Sequence, residues 1–152
     1  MQSNMLTTTF TTFTAVSVYD GTAELFSKAL TTGRNRKIIS LFTRRPTRLL
    51  DLGSLQSRMA SSGYAGQKEV ALDDIRGSEG RIRDFDDRFN PLTDRVRERW
   101  MSVARAHEAG IDLPPIELVQ VGKVYYVRDG NHRVSVARAN GRPTITARVT
   151  VW

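Results

Sequence analysis

The sequence predicts a mixed α+β fold, and three stretches of its second half carry that expectation. In DRVRERWMSVARAHEAG (94–110) the residues Val96, Trp100, Val103, Ala104 and His107 recur on one face, with Thr93 placed to cap the start and Gly110 to end the run. IELVQV and KVYYVR, rich in β-branched and aromatic residues, flank Gly122 and spell a hairpin. His132 to Asn140 reads as a short helix stopped by Gly141, and TITARVTVW then alternates as a closing strand.

The remaining elements are weaker. Residues 1–20 are threonine-rich with loosely alternating Phe10, Phe13, Val16 and Val18, which suits either an edge strand or a poorly ordered arm. GTAELFSKALTTG (21–33) places Leu25, Phe26, Ala29 and Leu30 on one helical face, with Gly33 as its stop. A second helical piece runs from Lys37 to Phe42 until Arg45-Pro46, and Leu49, Leu50, Leu52, Leu55 and Met59 suggest a third. SSGYAGQ (61–67) is a loop by composition. It divides a helical, basic extension (1–66) from the α+β domain (67–152). In the latter, VALDDI opens as a strand and GSEGRIRDFDDRFNPLT follows as a long charged loop with Phe85 and Phe89 as anchors.

Composition narrows the classes. The chain of 152 residues suffices for one core, with an apolar content of 39%. No apolar run reaches the length of a membrane span, and the N-terminus lacks the basic region of a secretory signal. The absence of cysteine removes disulfides, thiolate metal sites and thiol nucleophiles, and is compatible with a cytoplasmic location. With two histidines and no cysteine, no metal site is expected.

The net charge of +7 is confined to one segment. Lys28, Arg34, Arg36, Lys37, Arg44, Arg45 and Arg48 stand between Lys28 and Leu50 without a single Asp or Glu. Such a run meets a polyanion, nucleic acid or an acidic lipid surface, or else is a solvated face. Arg34, Arg36, Lys37, Arg44, Arg45 and Arg48 are the candidate nucleic-acid contacts.

The densest cluster of chemistry is DGNHR (129–133), where a strand becomes a helix. Gly130 lets the chain turn sharply and a ligand approach the backbone. The free N–H groups of the first helical turn, near Asn131 to Val134, form an anion site at the positive end of the helix dipole. Arg133 adds a planar fork suited to phosphate, and His132 a donor that can titrate near neutral pH. Asp129 fits as a ligand to phosphate-bound Mg²⁺, as a base toward a hydroxyl, or as the helix cap. The plainer alternative is that Asp129 or Asn131 caps the helix while Arg133 makes a surface ion pair.

The order PPIELVQVGKVYYVRDGNHRVSVARANGRPTITARV resembles the N-terminal domain of the ParB partition proteins and the wider ParB/sulfiredoxin-like superfamily, over about residues 68–151. The resemblance implies a nucleotide-binding module, with CTP or ATP/ADP and Mg²⁺, that acts as a switch or a DNA-associated binding protein. Gly130 and Arg133 match the shared glycine and arginine, His132 the histidine of the sulfiredoxin and free-serine-kinase forms, and Asp129 the aspartate of the kinase-like form. An enzyme on the same scaffold, a phosphotransferase or nuclease, would use Asp129 and His132 as catalytic groups. A protein-interaction domain with an unused pocket is a further alternative.

Asn131 stands where sulfiredoxins carry cysteine, so their thiol chemistry is not expected. Partition proteins usually have glutamate and arginine at the positions of Asn131 and His132. Only Trp152 follows the last strand, so operator binding by a following helix-turn-helix is not expected either, and a homodimer is left open. In such a domain the loop 77–89 would face the box, with Gly80 and Arg81 approaching phosphate and Asp84 or Asp86 holding metal; a solvated loop is the alternative. His107 is expected in the core or at its edge, Trp100 in the core, Glu117 on an exposed strand face or else facing the pocket, and Trp152 against the hairpin.

Overall fold

Six strands form one mixed sheet in a computed structural model that describes residues 20–58 and 61–152. The expectations for residues 1–19 and for Met59 lie outside the described residues. In chain order the elements are α1 (Gly21–Thr43), β1 (Leu50–Asp51), β2 (Gly63–Ala71), β3 (Ile75–Ser78), α2 (Arg97–Glu108), β4 (Ile116–Val121), β5 (Val124–Asp129), α3 (Asn131–Ala139) and β6 (Thr144–Val151). Across the sheet the order is β1-β3-β5-β4-β6-β2. The mixed α+β class is therefore the one observed. The second half follows the pattern read from the sequence: helix, hairpin, helix, strand.

Helix α1 starts at Asp20, whose carboxylate accepts the Thr22 N–H at 3.1 Å. Phe26, Ala29, Leu30 and Gly33 form its buried face. Gly33 is not the expected stop: the two helical pieces are one helix running on to Thr43. A Cβ at Gly33 would meet the Pro91 carbonyl oxygen at 2.4 Å, so the glycine serves close packing of the 86–91 segment against the helix. Arg44, at φ 54, ends α1 just ahead of Pro46.

Among the described residues the expected third helix is absent. Leu50 and Asp51 pair with β3 in parallel, and the Asp51 carboxylate accepts the Gly53 N–H at 2.9 Å, closing a turn that leaves one 3₁₀ turn at Gln56–Arg58. The expected loop at 61–67 is also mostly strand. From Gly63 onward β2 pairs antiparallel with β6, and a bulge at Ala65, followed by Gly66 at φ 91, absorbs the glycine-rich stretch.

Buried residues fall into two clusters. The larger holds Phe26 and Leu30 of α1, Trp100 and Ala104 of α2, Val134 and Ala137 of α3, and one face of the strands through Leu118, Val127 and Val149. Trp100 is fully buried, meets Phe26 edge to face at 5.3 Å, and donates its indole N–H to Ser135 Oγ at 2.8 Å. Leu52, Val119 and Tyr126 form the smaller cluster, with Trp152 against it as expected. Val119 and Tyr126 alternate with Leu118 and Val127, which is the period of two that sends neighbouring side chains to opposite faces.

One capping detail differs from expectation. Thr93 makes no cap bond; a 3₁₀ turn at Asp94–Val96 leads into α2 instead, and Thr93 Oγ1 is buried without a partner among the described residues. His107 is half-buried, at the edge of the core.

Candidate functional site

Strand β5 ends at Asp129, Gly130 takes φ 108, and α3 begins at Asn131. A Cβ at Gly130 would lie 2.5 Å from Ile116 Cγ2, so both the turn and the packing against β4 require glycine. Among the described residues no side chain caps α3, neither Asp129 nor Asn131 included. The Val134 N–H is taken by the Gly130 carbonyl at 3.0 Å, so the N–H groups left without a helical partner are those of Asn131, His132 and Arg133.

Beside this turn lies a cavity of about 500 Å³. Gly80, Arg81 and Asp129 to Arg133 all line it, so the structure brings together both segments that the sequence singled out. Buried Ser78 and Asn131 form the tie. Ser78 Oγ lies 2.8 Å from Asn131 Oδ1 and accepts the Gly80 N–H at 3.3 Å, joining the β3 end to the α3 start.

Three further arginines, Arg95, Arg99 and Arg128, line the same space and were missed in the sequence reading. Arg95 and Arg99 sit one turn apart, on the 3₁₀ turn and the helix that carry the Trp100 stripe. Arg128 is the strand residue immediately before Asp129. Five guanidinium groups thus surround a space with one carboxylate in its lining, Asp129.

These cations are not equally free. Arg133 donates to the Pro114 carbonyl, to the Pro115 carbonyl at 3.2 Å and to Asp129 at 2.6 Å, clipping α3 to the segment before β4. Arg81 and Arg95 hold Asp84 at 3.1 and 2.7 Å, and Arg128 pairs with Glu79 at 3.1 Å. Arg99 has no ion pair among the described residues.

His132 differs from expectation in its charge. Burial, and then the nearby Arg81 and Arg99, push its imidazole down from 6.5 to about 4, so it is neutral at physiological pH. Its ring packs edge to face on Phe85 at 5.5 Å. Between these two values the unfolded chain takes up a proton that the folded chain refuses, so stability falls as pH drops from 6.5 toward 4. The loss is on the order of 2 kcal/mol after solvent screening. Urea unfolding at pH 7 and pH 4.5 should show it, and His132→Gln should reduce the difference; an unchanged difference would contradict this environment.

The loop expected at 77–89 is part solvated and part anchored: Gly77 and Ser78 belong to β3, and Glu79, Gly80, Arg81, Arg83 and Arg88 are exposed. Phe85 and Phe89 are buried as the expected anchors, and Asp84 and Asp86 are buried among nitrogen donors. Burial raises the Asp84 carboxyl, but Arg95 and Arg81 outweigh it and hold it below the usual range. Asp86 accepts the N–H groups of Arg88 and Asn90 and the Arg36 Nε. Neither carboxylate is left to bind a cation, and no metal-ligating cluster occurs among the described residues.

The basic segment is split by the structure. Arg34 pairs with Asp94 at 2.9 Å, and Arg36 binds Asp86 and Asp87 at 2.8 and 2.6 Å, so both help fasten α1 to the domain. Lys37, Arg44, Arg45 and Arg48 make no ion pair among the described residues. No helix among the described residues is long and apolar enough to cross a membrane.

No family model matches the chain, and no curated protein matches it. Among solved structures it is similar to a sulfiredoxin from Arabidopsis thaliana at 23% identity, over 55% of this chain and 82% of that one, with a TM-score of 0.42.

Proposed function

We propose that the cavity at the β5–α3 junction binds a nucleotide through its phosphates, and that the chain is a ParB-like binding or switch module. The observation that supports this reading is the set of five arginines around an uncapped helix start, with a single carboxylate in the lining. Uncapped N–H groups and planar guanidinium forks are the two devices by which proteins hold phosphate oxygens. The apolar Val96 and Val103 supply a wall for a base or sugar. Any Mg²⁺ would arrive with the nucleotide, and Asp129, exposed at the rim, is the carboxylate placed to meet it. Neutral His132 would donate or accept one hydrogen bond without adding charge.

The enzymatic alternative assigns Asp129 the role of base and His132 a share in stabilising phosphoryl charge. Binding without catalysis is the simpler role for these groups, because the Asp129 carboxylate already accepts from Arg133. Turnover abolished by Asp129→Asn with binding retained would reverse that preference.

The test is calorimetric titration of the full chain with CTP, ATP, GTP and ADP in the presence of Mg²⁺. One nucleotide should bind, and Arg99→Ala should weaken it about tenfold or more, the effect of losing one charge-assisted hydrogen bond. Since Arg99 has no ion pair among the described residues, the variant should keep the wild-type melting temperature. Absence of binding by every nucleotide in folded protein would sink the proposal.

A further inference from the structure

Beyond Gly33, α1 continues past the core, and no residue from Arg34 to Thr43 is buried. The segment is nonetheless apolar on its outer side. Ile38 and Phe42, one turn apart, are 54% and 84% exposed, and Ile39 and Leu41 beside them are 57% and 75% exposed. Lys37, Arg45 and Arg48 border this patch without ion pairs among the described residues, and Arg44 follows directly after the helix. The hollows beneath the turn at Pro46 and Thr47 add Arg76, Arg83 and Arg88, with Asp87 as the one acid there, already paired with Arg36 at 2.6 Å. No acid occurs between Lys28 and Leu50 to offset them.

We propose that this end of α1, with the turn after it, docks on an acidic lipid surface. Phe42, Leu41 and Ile38 enter the boundary between headgroups and acyl chains, and the flanking cations meet the anionic headgroups. Only such a surface satisfies both halves of the patch. A nucleic-acid backbone would match the cations but leave four large apolar side chains against phosphate and water. A second copy would bury the apolar residues but bring two uncompensated cationic rims together. An acidic bilayer offers charge and hydrocarbon at the right depth for one helix end.

The measurement is co-sedimentation of the full chain with vesicles of phosphatidylcholine, or of three parts phosphatidylcholine to one part phosphatidylserine. Binding to the acidic vesicles should be at least about tenfold stronger and should weaken with salt. The double variant Leu41→Asp, Phe42→Asp should lose it while keeping the melting temperature and nucleotide titration of the parent chain, which separates this surface from the cavity. Equal binding to both vesicles would overturn the proposal. So would DNA binding unaffected by the double variant without vesicle binding, or a dimer that the double variant abolishes. Vesicle binding that appears only after deletion of residues 1–19 would instead assign that segment to the patch and also overturn it.

Discussion

Gly130→Ala should destabilise the fold by about 2–4 kcal/mol and remove nucleotide binding from whatever folded protein remains. Two costs combine. A φ of 108 is unfavourable for any residue with a Cβ, and that Cβ would sit 2.5 and 2.9 Å from the Cγ2 and Cβ of Ile116. Ile116 is itself 1% exposed, so it has no room to retreat. Relief would come by moving the backbone at 129–131, which displaces the N–H groups offered to phosphate. Gly122→Ala is the matched control: φ is 61, but nothing lies within 4 Å of its added carbon. That variant should lose only about 1 kcal/mol. Urea midpoints of the two variants give the comparison, and equal losses would show that the Ile116 contact is not what fixes the glycine.

Asp86→Ala is expected to cost about 3–5 kcal/mol, the range for stripping one partner from a buried charged network. Asp86 is fully buried and organises its loop, since one oxygen accepts Arg88 N–H at 2.9 Å and Asn90 N–H at 2.8 Å. Its other oxygen takes the Arg36 Nε at 2.8 Å and the Asn90 amide at 3.0 Å. Removal strands four donors and cuts one of the ties between α1 and the loop, leaving the Arg36–Asp87 pair. Asp86→Asn, which keeps the shape and one acceptor oxygen, should cost less. Arg36→Ala alone should also destabilise, and the double variant should be less than additive. Thermal melts of the four proteins decide this; additive losses would show that Arg36 and Asp86 are not coupled.

The parts of the fold that were legible are those whose partners are near in sequence or whose pattern is strong. The β4–β5 hairpin and α3 are local, and the Trp100 stripe of α2 has a clear helical period. Edge elements were not legible. Two-residue β1 exists because β3 lies beside it, and the GYAGQ stretch becomes strand because β6 supplies its ladder; a distant partner overrides local glycine content. Gly33 misled for a similar reason, since what it accommodates is Pro91, far along the chain.

The site divides the same way. DGNHR could be found because strand end, turn and helix start are consecutive. Arg95 and Arg99 could not, because their place at the cavity depends on how α2 packs against α3. The neutral state of His132 depends on Phe85, Arg81 and Arg99 gathering around it, which no local pattern reveals.

Among the described residues strand β2 has one neighbour in the sheet, and that neighbour is the last strand to appear in the chain. Every hydrogen-bonded residue of β2 therefore waits for β6, whose other edge pairs with β4. Chain order and assembly order are opposed at this edge. The nucleus of folding is thus expected in the β4–β5–α3 region, where contacts are local, with the long loop between β2 and β6 closing late. Until then Gly63 to Ala71 carries an unpaired backbone, and the kinetic hazard of this molecule, pairing with another chain instead of its own, is concentrated there.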